Sequence, residues 1–171
     1  MKFKIVSLFV LCAILISCGT SRQGGKKQRK GTKAQVVLTP EQQRKYDYFF
    51  LEASRLKMKD DYSAAFDLLQ HCLTINPNAS SALYEISQYY MYLKQVPQGQ
   101  AALEKAVEND PDNYWYSQGL ASLYQQQNEM QKATNLLESM ATRFSHRMDT
   151  QYSLLDIYNR LEAYDIVITT L

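Results

Sequence analysis

Ile75-Asn76-Pro77-Asn78 returns as Asn109-Asp110-Pro111-Asp112, with the two prolines 34 residues apart. Proline has no backbone donor and biases the residue before it away from helical dihedrals, so each copy closes one helical segment and starts another. A fixed period of this length marks stacked units, each hiding its apolar face only against its neighbours.

Laid out at that period, with Tyr46, Ser80, Tyr114 and Met148 as first positions, the chain asks for chosen sizes at chosen slots. Position 8 is small (Ala53, Ser87, Ala121), as is position 20 (Ala65, Gly99, Ala133). Position 11 reads Leu56, Tyr90, Tyr124 and Tyr158, and position 24 reads Leu69, Leu103, Leu137 and Leu171. The closing proline appears twice and is replaced by Ser145 in the third unit. This pattern resembles the tetratricopeptide repeat (TPR) family over about three quarters of the chain.

The resemblance implies an all-α fold, a right-handed superhelical solenoid of antiparallel helix pairs with about 3.5 repeats. The units are 46–79, 80–113, 114–147 and a partial 148–171, within a domain of 39–171. Small residues at positions 8 and 20 let the two helices of a hairpin, A and B, cross at roughly 8–10 Å, while larger residues at 4, 7, 11 and 24 fill the flanks. Glu52 departs from the expected Leu at position 7, and Leu155 and Val167 occupy both small slots of the fourth unit, which is expected to pack less closely. Thr39-Pro40-Glu41-Gln42 has the form of a capping box with proline in the first turn. A helix is expected from there to about Lys59, a turn at Asp60-Asp61, and further helices from Tyr62 and over 80–93, 96–108, 114–127, 130–143 and 148–161.

The N-terminus carries a separate signal. Lys2 and Lys4 precede an apolar run from Ile5 to Ile16, too short for a bilayer span of about 20 residues, so 1–17 reads as an export signal. Leu15-Ile16-Ser17-Cys18 resembles the lipobox of bacterial lipoproteins. That resemblance implies diacylglyceryl transfer to the Cys18 thiol, cleavage before Cys18, and acylation of the new amino group. An ordinary signal peptide and an uncleaved anchor are the other readings of the segment. Gly19, in place of the Asp that resembles an inner-membrane retention signal, favours the outer membrane and its periplasmic face.

Residues 18–38 read as a disordered linker rich in Gly, Ser, Thr and Gln. Arg22, Lys26, Lys27, Arg29, Lys30 and Lys33 fall there with no acid before Glu41, whereas the repeats hold 11 Lys or Arg against 17 Asp or Glu. A basic tether thus joins an acidic body. Beside a lipid anchor its cations either meet anionic headgroups, each adding up to about 1 kcal/mol, or form a solvated spacer. No aromatic platform accompanies them, so nucleic acid is excluded as partner. Cys12 leaves with the signal and Cys72 remains alone at position 27, a small buried hydrophobe.

No catalytic or cofactor site is expected. His71 and His146 lack ligand-spaced partners, and no Gly-rich phosphate loop, Gly-x-Ser-x-Gly elbow or His-Glu-x-x-His pair occurs. Glu108, Asp110 and Asp112 lack the Gly and distal Glu of a calcium loop.

Function is therefore expected from surface. In the family that the repeats resemble, positions 2, 5, 9 and 12 of each helix A line a groove, which here implies Phe50, Ser54, Lys57, Ser81, Tyr84, Gln88, Met91, Trp115, Gln118, Ser122, Gln125, Asp149, Tyr152, Asp156 and Asn159. Aromatics and amides suit an extended peptide. Phe50 and Ser54 stand where a carboxylate-clamp subgroup has Lys and Asn. Tyr84, Met91 and Trp115 are expected on one wall. The reading is a lipid-anchored scaffold binding a protein or peptide at the bacterial envelope. The alternative is the targeting part of a longer protein with a catalytic or effector domain, since Leu171 falls at position 24 with no polar cap.

Overall fold

The computed structural model describes residues 37–161, which form seven helices: α1 (Pro40–Lys57), α2 (Tyr62–Ile75), α3 (Ser80–Tyr92), α4 (Val96–Asn109), α5 (Tyr114–Gln126), α6 (Met130–Arg143) and α7 (Met148–Arg160). The export signal, Cys18, the linker to residue 36 and residues 162–171, with Val167 and Leu171, lie outside the described residues. Each helix packs on its successor, so α1/α2, α3/α4 and α5/α6 are hairpins and α7 begins a fourth. The architecture is an all-α solenoid of helix pairs.

α1 starts where its cap dictates: Gln42 N–H donates to Thr39 Oγ1 at 3.2 Å, and Thr39 N–H to Gln42 Oε1 at 2.9 Å. It ends at Lys57, two residues before the expected Lys59, because the closing turn consumes the next residues. Asp60, Lys94 and Asn128, all at repeat position 15, have φ of 62°, 60° and 60°. In each turn the following N–H bonds back five residues, Asp61 to Leu56 O, Gln95 to Tyr90 O and Glu129 to Tyr124 O, at 3.0, 2.8 and 2.8 Å. This is the Schellman closure, which needs one left-handed residue.

Asp and Asn tolerate that conformation; lysine does so at a cost of about 1–2 kcal/mol. Lys94→Gly is therefore expected to raise stability by about 1 kcal/mol after glycine's greater unfolded-chain entropy is deducted, read as a higher melting midpoint. Lys94→Ala, with the same Cβ, should give no such gain.

The small slots lie at the hairpin crossings. Ala53, Ala65, Ser87, Gly99, Ala121 and Ala133 are all buried, and a Cβ added to Gly99 would stand 2.7 Å from Met91 Cε and 3.1 Å from the Ser87 carbonyl oxygen. Ala133 is 0% exposed. Ala133→Leu is expected to overpack and cost roughly 1–3 kcal/mol, whereas Leu at the exposed neighbour Gln131 should shift the melting midpoint little. Equal shifts would show the register to be wrong.

Successive units are joined by polar links that the size pattern does not reveal. Tyr124 Oη donates to Glu104 at 2.8 Å and Tyr158 Oη to Glu138 at 2.7 Å, in both cases from position 11 of one unit to position 25 of the unit before. Burial first, and then the carboxylate, pushes the Tyr158 phenol up to about 12 and raises Tyr124 likewise. Asn109 Nδ2 donates to Asn78 O at 3.1 Å, and Arg143, again at position 30, donates to Pro111 O. Lys105 Nζ holds Pro77 O at 2.6 Å. The proline turns thus have their carbonyls tied down by the following helix B.

Glu52, in the expected Leu slot, pairs with Arg55 at the helix surface. Cys72 is fully buried with its thiol 3.8 Å from Tyr46 O. Burial pushes this thiol up to about 11, which suppresses the reactive thiolate. In α7, Leu154, Ile157 and Tyr158 are buried and Leu155 half-buried. Val167, the other large residue in a small slot of the fourth unit, lies outside the described residues.

Candidate functional site

Helices α1, α3, α5 and α7 form one wall, held by rungs between them. Tyr46 Oη lies 2.9 Å from Ser81 Oγ, and Tyr114 Oη donates to Asp149 Oδ2 at 2.8 Å, each joining position 1 of one unit to position 2 of the next. Between them the Tyr84 and Tyr116 rings stack at 4.8 Å. These rungs take up much of what the repeat slots assigned to the groove.

In the first unit Phe50 stacks on Tyr46 at 5.9 Å, Ser54 donates to Phe50 O at 2.9 Å, and Lys57 pairs with Glu85 at 2.7 Å. In the second, Ser81 and Tyr84 serve the rungs, Met91 fills the space over Gly99, and Gln88 is exposed with Nε2 3.1 Å from Ser87 Oγ. Gln118, Ser122 and Gln125 are half-buried, with the Gln118 side-chain amide 3.1 Å from Tyr114 Oη. Asp156 and Asn159 are exposed. Of the aromatic groups in the groove slots, Trp115 and Tyr152 remain open, 63% and 64% exposed. Tyr84 and Met91 do not join Trp115 in an open patch, because both are spent on packing.

Trp115 is buttressed from below. Its ring meets Tyr114 edge-on at 5.3 Å, and the Arg147 guanidinium lies 3.7 Å over Tyr114 and 5.3 Å from Trp115. Arg147 is itself held by two bonds to Asp149, at 3.2 and 2.8 Å. That pairing, with the Tyr114 hydroxyl, keeps the Asp149 carboxyl far below the usual carboxylate range. An indole fixed against a cation and a second ring loses little entropy when it receives a ligand.

The same wall ends, at the hairpin turns of the first two units, in a cavity of about 450 Å³ lined by Lys57, Tyr62, Gln88, Tyr89 and Tyr92. Lys57 and Gln88 are groove positions by sequence. The three tyrosines stand at positions 10, 13 and 17, outside the groove slots, and only their place beside the left-handed turns pointed to them. Among the described residues no group of three or more His, Cys, Asp or Glu is placed to hold a metal ion, and no helix is long and apolar enough to cross a membrane.

Solved structures share this arrangement. The chain is similar to MamA, with a TM-score of 0.64 at 20% identity over 75% of this chain and 70% of that one. It is also similar to a tetratricopeptide repeat protein from Parabacteroides merdae ATCC 43184, with a TM-score of 0.66 at 16% identity over 74% of this chain and 51% of that one. YrrB, described as a TPR protein with an unusual peptide-binding site, gives a TM-score of 0.61 at 13% identity over 71% of this chain and 63% of that one. At such identities the likeness shows the fold, and the fold is the tetratricopeptide solenoid. No protein-family model matches the sequence, and none of the curated proteins does.

Proposed function

We propose that this chain is a scaffold that binds a protein or peptide partner on its A-helix wall, while a lipid on Cys18 anchors it at the bacterial cell envelope, on the periplasmic face of the outer membrane. The observation that carries the binding half is Trp115, a large indole left open on a wall where Tyr46, Tyr84, Tyr114 and Tyr116 are taken up by ring packing. Tryptophan is among the residues enriched as interface anchors. The peptide-binding site ascribed to YrrB, similar in fold, supports the reading.

The anchoring half rests on the Lys2-Lys4 segment, the apolar run and Leu15-Ile16-Ser17-Cys18. Cys18→Ser is expected to give an unprocessed or soluble product without acyl groups. Metabolic labelling with a fatty-acid analogue checks it, and label retained by the Ser variant would overturn the lipoprotein reading.

A further inference from the structure

We infer that copies of this chain stack end to end, the row of A helices continuing from α7 of one copy to α1 of the next, with Tyr152 of the first lying on Tyr48 of the second as Tyr84 lies on Tyr116 within the chain. This goes beyond the partner binding proposed above and does not depend on it.

Within the chain, neighbouring A helices meet through fixed repeat positions. Position 1 of one unit reaches position 2 of the next (Tyr46 to Ser81, Tyr114 to Asp149), position 5 reaches position 3 (Tyr84 to Tyr116), and position 12 reaches position 6 (Lys57 to Glu85). The forward side of the joint is thus positions 1, 5 and 12, and the receiving side is positions 2, 3 and 6. Where a neighbour is present these sites are covered: position 5 is half-buried at Phe50, Tyr84 and Gln118, and position 3 is buried at Ala82 and Thr150.

At the two ends of the described row the same positions stand open, and they carry large apolar groups. On α1 the receiving side shows Tyr48 at position 3 and Leu51 at position 6, 64% and 69% exposed. On α7 the forward side shows Met148 at position 1 and Tyr152 at position 5, 56% and 64% exposed. End faces of a solenoid are ordinarily polar, which keeps them soluble. Each open face here lacks the half of the joint that the other supplies, so the surface that fits both is a second copy. The aromatic step recurs in kind, a tyrosine at position 5 against a tyrosine at position 3, and offset ring stacking is favourable beyond the area it buries.

The junction is narrower than the joints inside the chain. Met148 brings no hydroxyl to Asp47, so the hydrogen bond between positions 1 and 2 is missing. Position 10, which inside the chain meets the preceding helix B, as Tyr89 meets Phe66 and Tyr62, is Arg55 in α1, exposed and ion-paired with Glu52. Association is therefore weak and reversible. Because the two faces differ, the contact is heterologous and adds copies one after another.

Sedimentation velocity of the full chain in density-matched detergent, from about 1 to 100 µM, reads the assembly. The parent should gain mass with concentration and pass the dimer without a plateau. Tyr48→Ala and Tyr152→Ala, both at exposed rings and so little changed in melting midpoint, should each associate at least about tenfold more weakly. Mixed in equal amounts, the two variants should regain one junction, the intact α7 face of Tyr48→Ala on the intact α1 face of Tyr152→Ala, and stop at a dimer. Trp115→Ala, inside the row, should assemble as the parent does.

A parent that stays monomeric to about 100 µM would overturn the stacking. Association lost in only one of the two tyrosine variants would mean that this face pairs with its own copy, and a mixture that forms no dimer would mean that the two faces do not meet; either result overturns it. Loss of assembly in Trp115→Ala would do the same by moving the contact into the groove. Partner capture that depends on Trp115 in a chain that stays monomeric would leave the binding function standing and remove only the stacking.

Discussion

Leu137→Ala should be the most damaging single change in the described core, costing about 2–5 kcal/mol. Leu137 stands at position 24 of the third unit, is 0% exposed, and lies in a cluster with Leu120, Ala121, Ala133, Leu154 and Ile157. Truncation leaves a void, and the surroundings have little means of closing it. Ala121 and Ala133 are too short to reach in, and the helices around the site are fixed by the Tyr124–Glu104 and Tyr158–Glu138 links. The comparison is Leu51→Ala, at a side chain 69% exposed on α1, expected to stay within about 0.5 kcal/mol. Denaturant unfolding of both variants measures the difference. Because a solenoid unit touches only its neighbours, hydrogen exchange should show protection lost first across α5–α7, while α1–α2 keeps most of its own. Similar midpoints for the two variants would mean that Leu137 is not where the 34-residue register puts it.

That register was legible because proline and small residues act through backbone geometry. Pro77 and Pro111 limit helices whatever surrounds them, and the buried slots at positions 8 and 20 follow from how closely two axes approach. α6 accordingly spans the expected 130–143 and α5 stops one residue short of the expected 127.

Side-chain allegiance was less legible. The slot of Tyr84 gives the face of α3 on which it stands, but not whether its ring opens to solvent or lies on Tyr116 from the next A helix. A tyrosine has an apolar body and a polar tip and satisfies either setting. Lys105 is a similar case: its slot on a B helix does not reveal that its ammonium holds the Pro77 carbonyl of the preceding turn. Arg147 and the tyrosines at 62, 89 and 92 lie outside the groove slots, and their roles depend on contacts between units that a single repeat does not encode.

The effect expected on function is largest at Trp115. Trp115→Ala removes an indole that is 63% exposed and already held by Tyr114 and Arg147. Truncating an anchor of this kind commonly costs about 2 kcal/mol or more, so partner capture should fall at least about tenfold with helicity unchanged. Tyr152→Ala, at a ring 64% exposed on α7, should weaken capture less, since no cation or second ring among the described residues holds it in place. Tyr84→Ala would confound the test by breaking the stack between α3 and α5. The sound control is Gln70→Ala, at an exposed position on α2, which should leave capture intact. Pull-down from solubilised envelopes, with each fold checked by circular dichroism, makes the comparison. Undiminished capture by both Trp115→Ala and Tyr152→Ala would take the partner off the A-helix wall, whereas loss with Gln70→Ala would place it on the B-helix side.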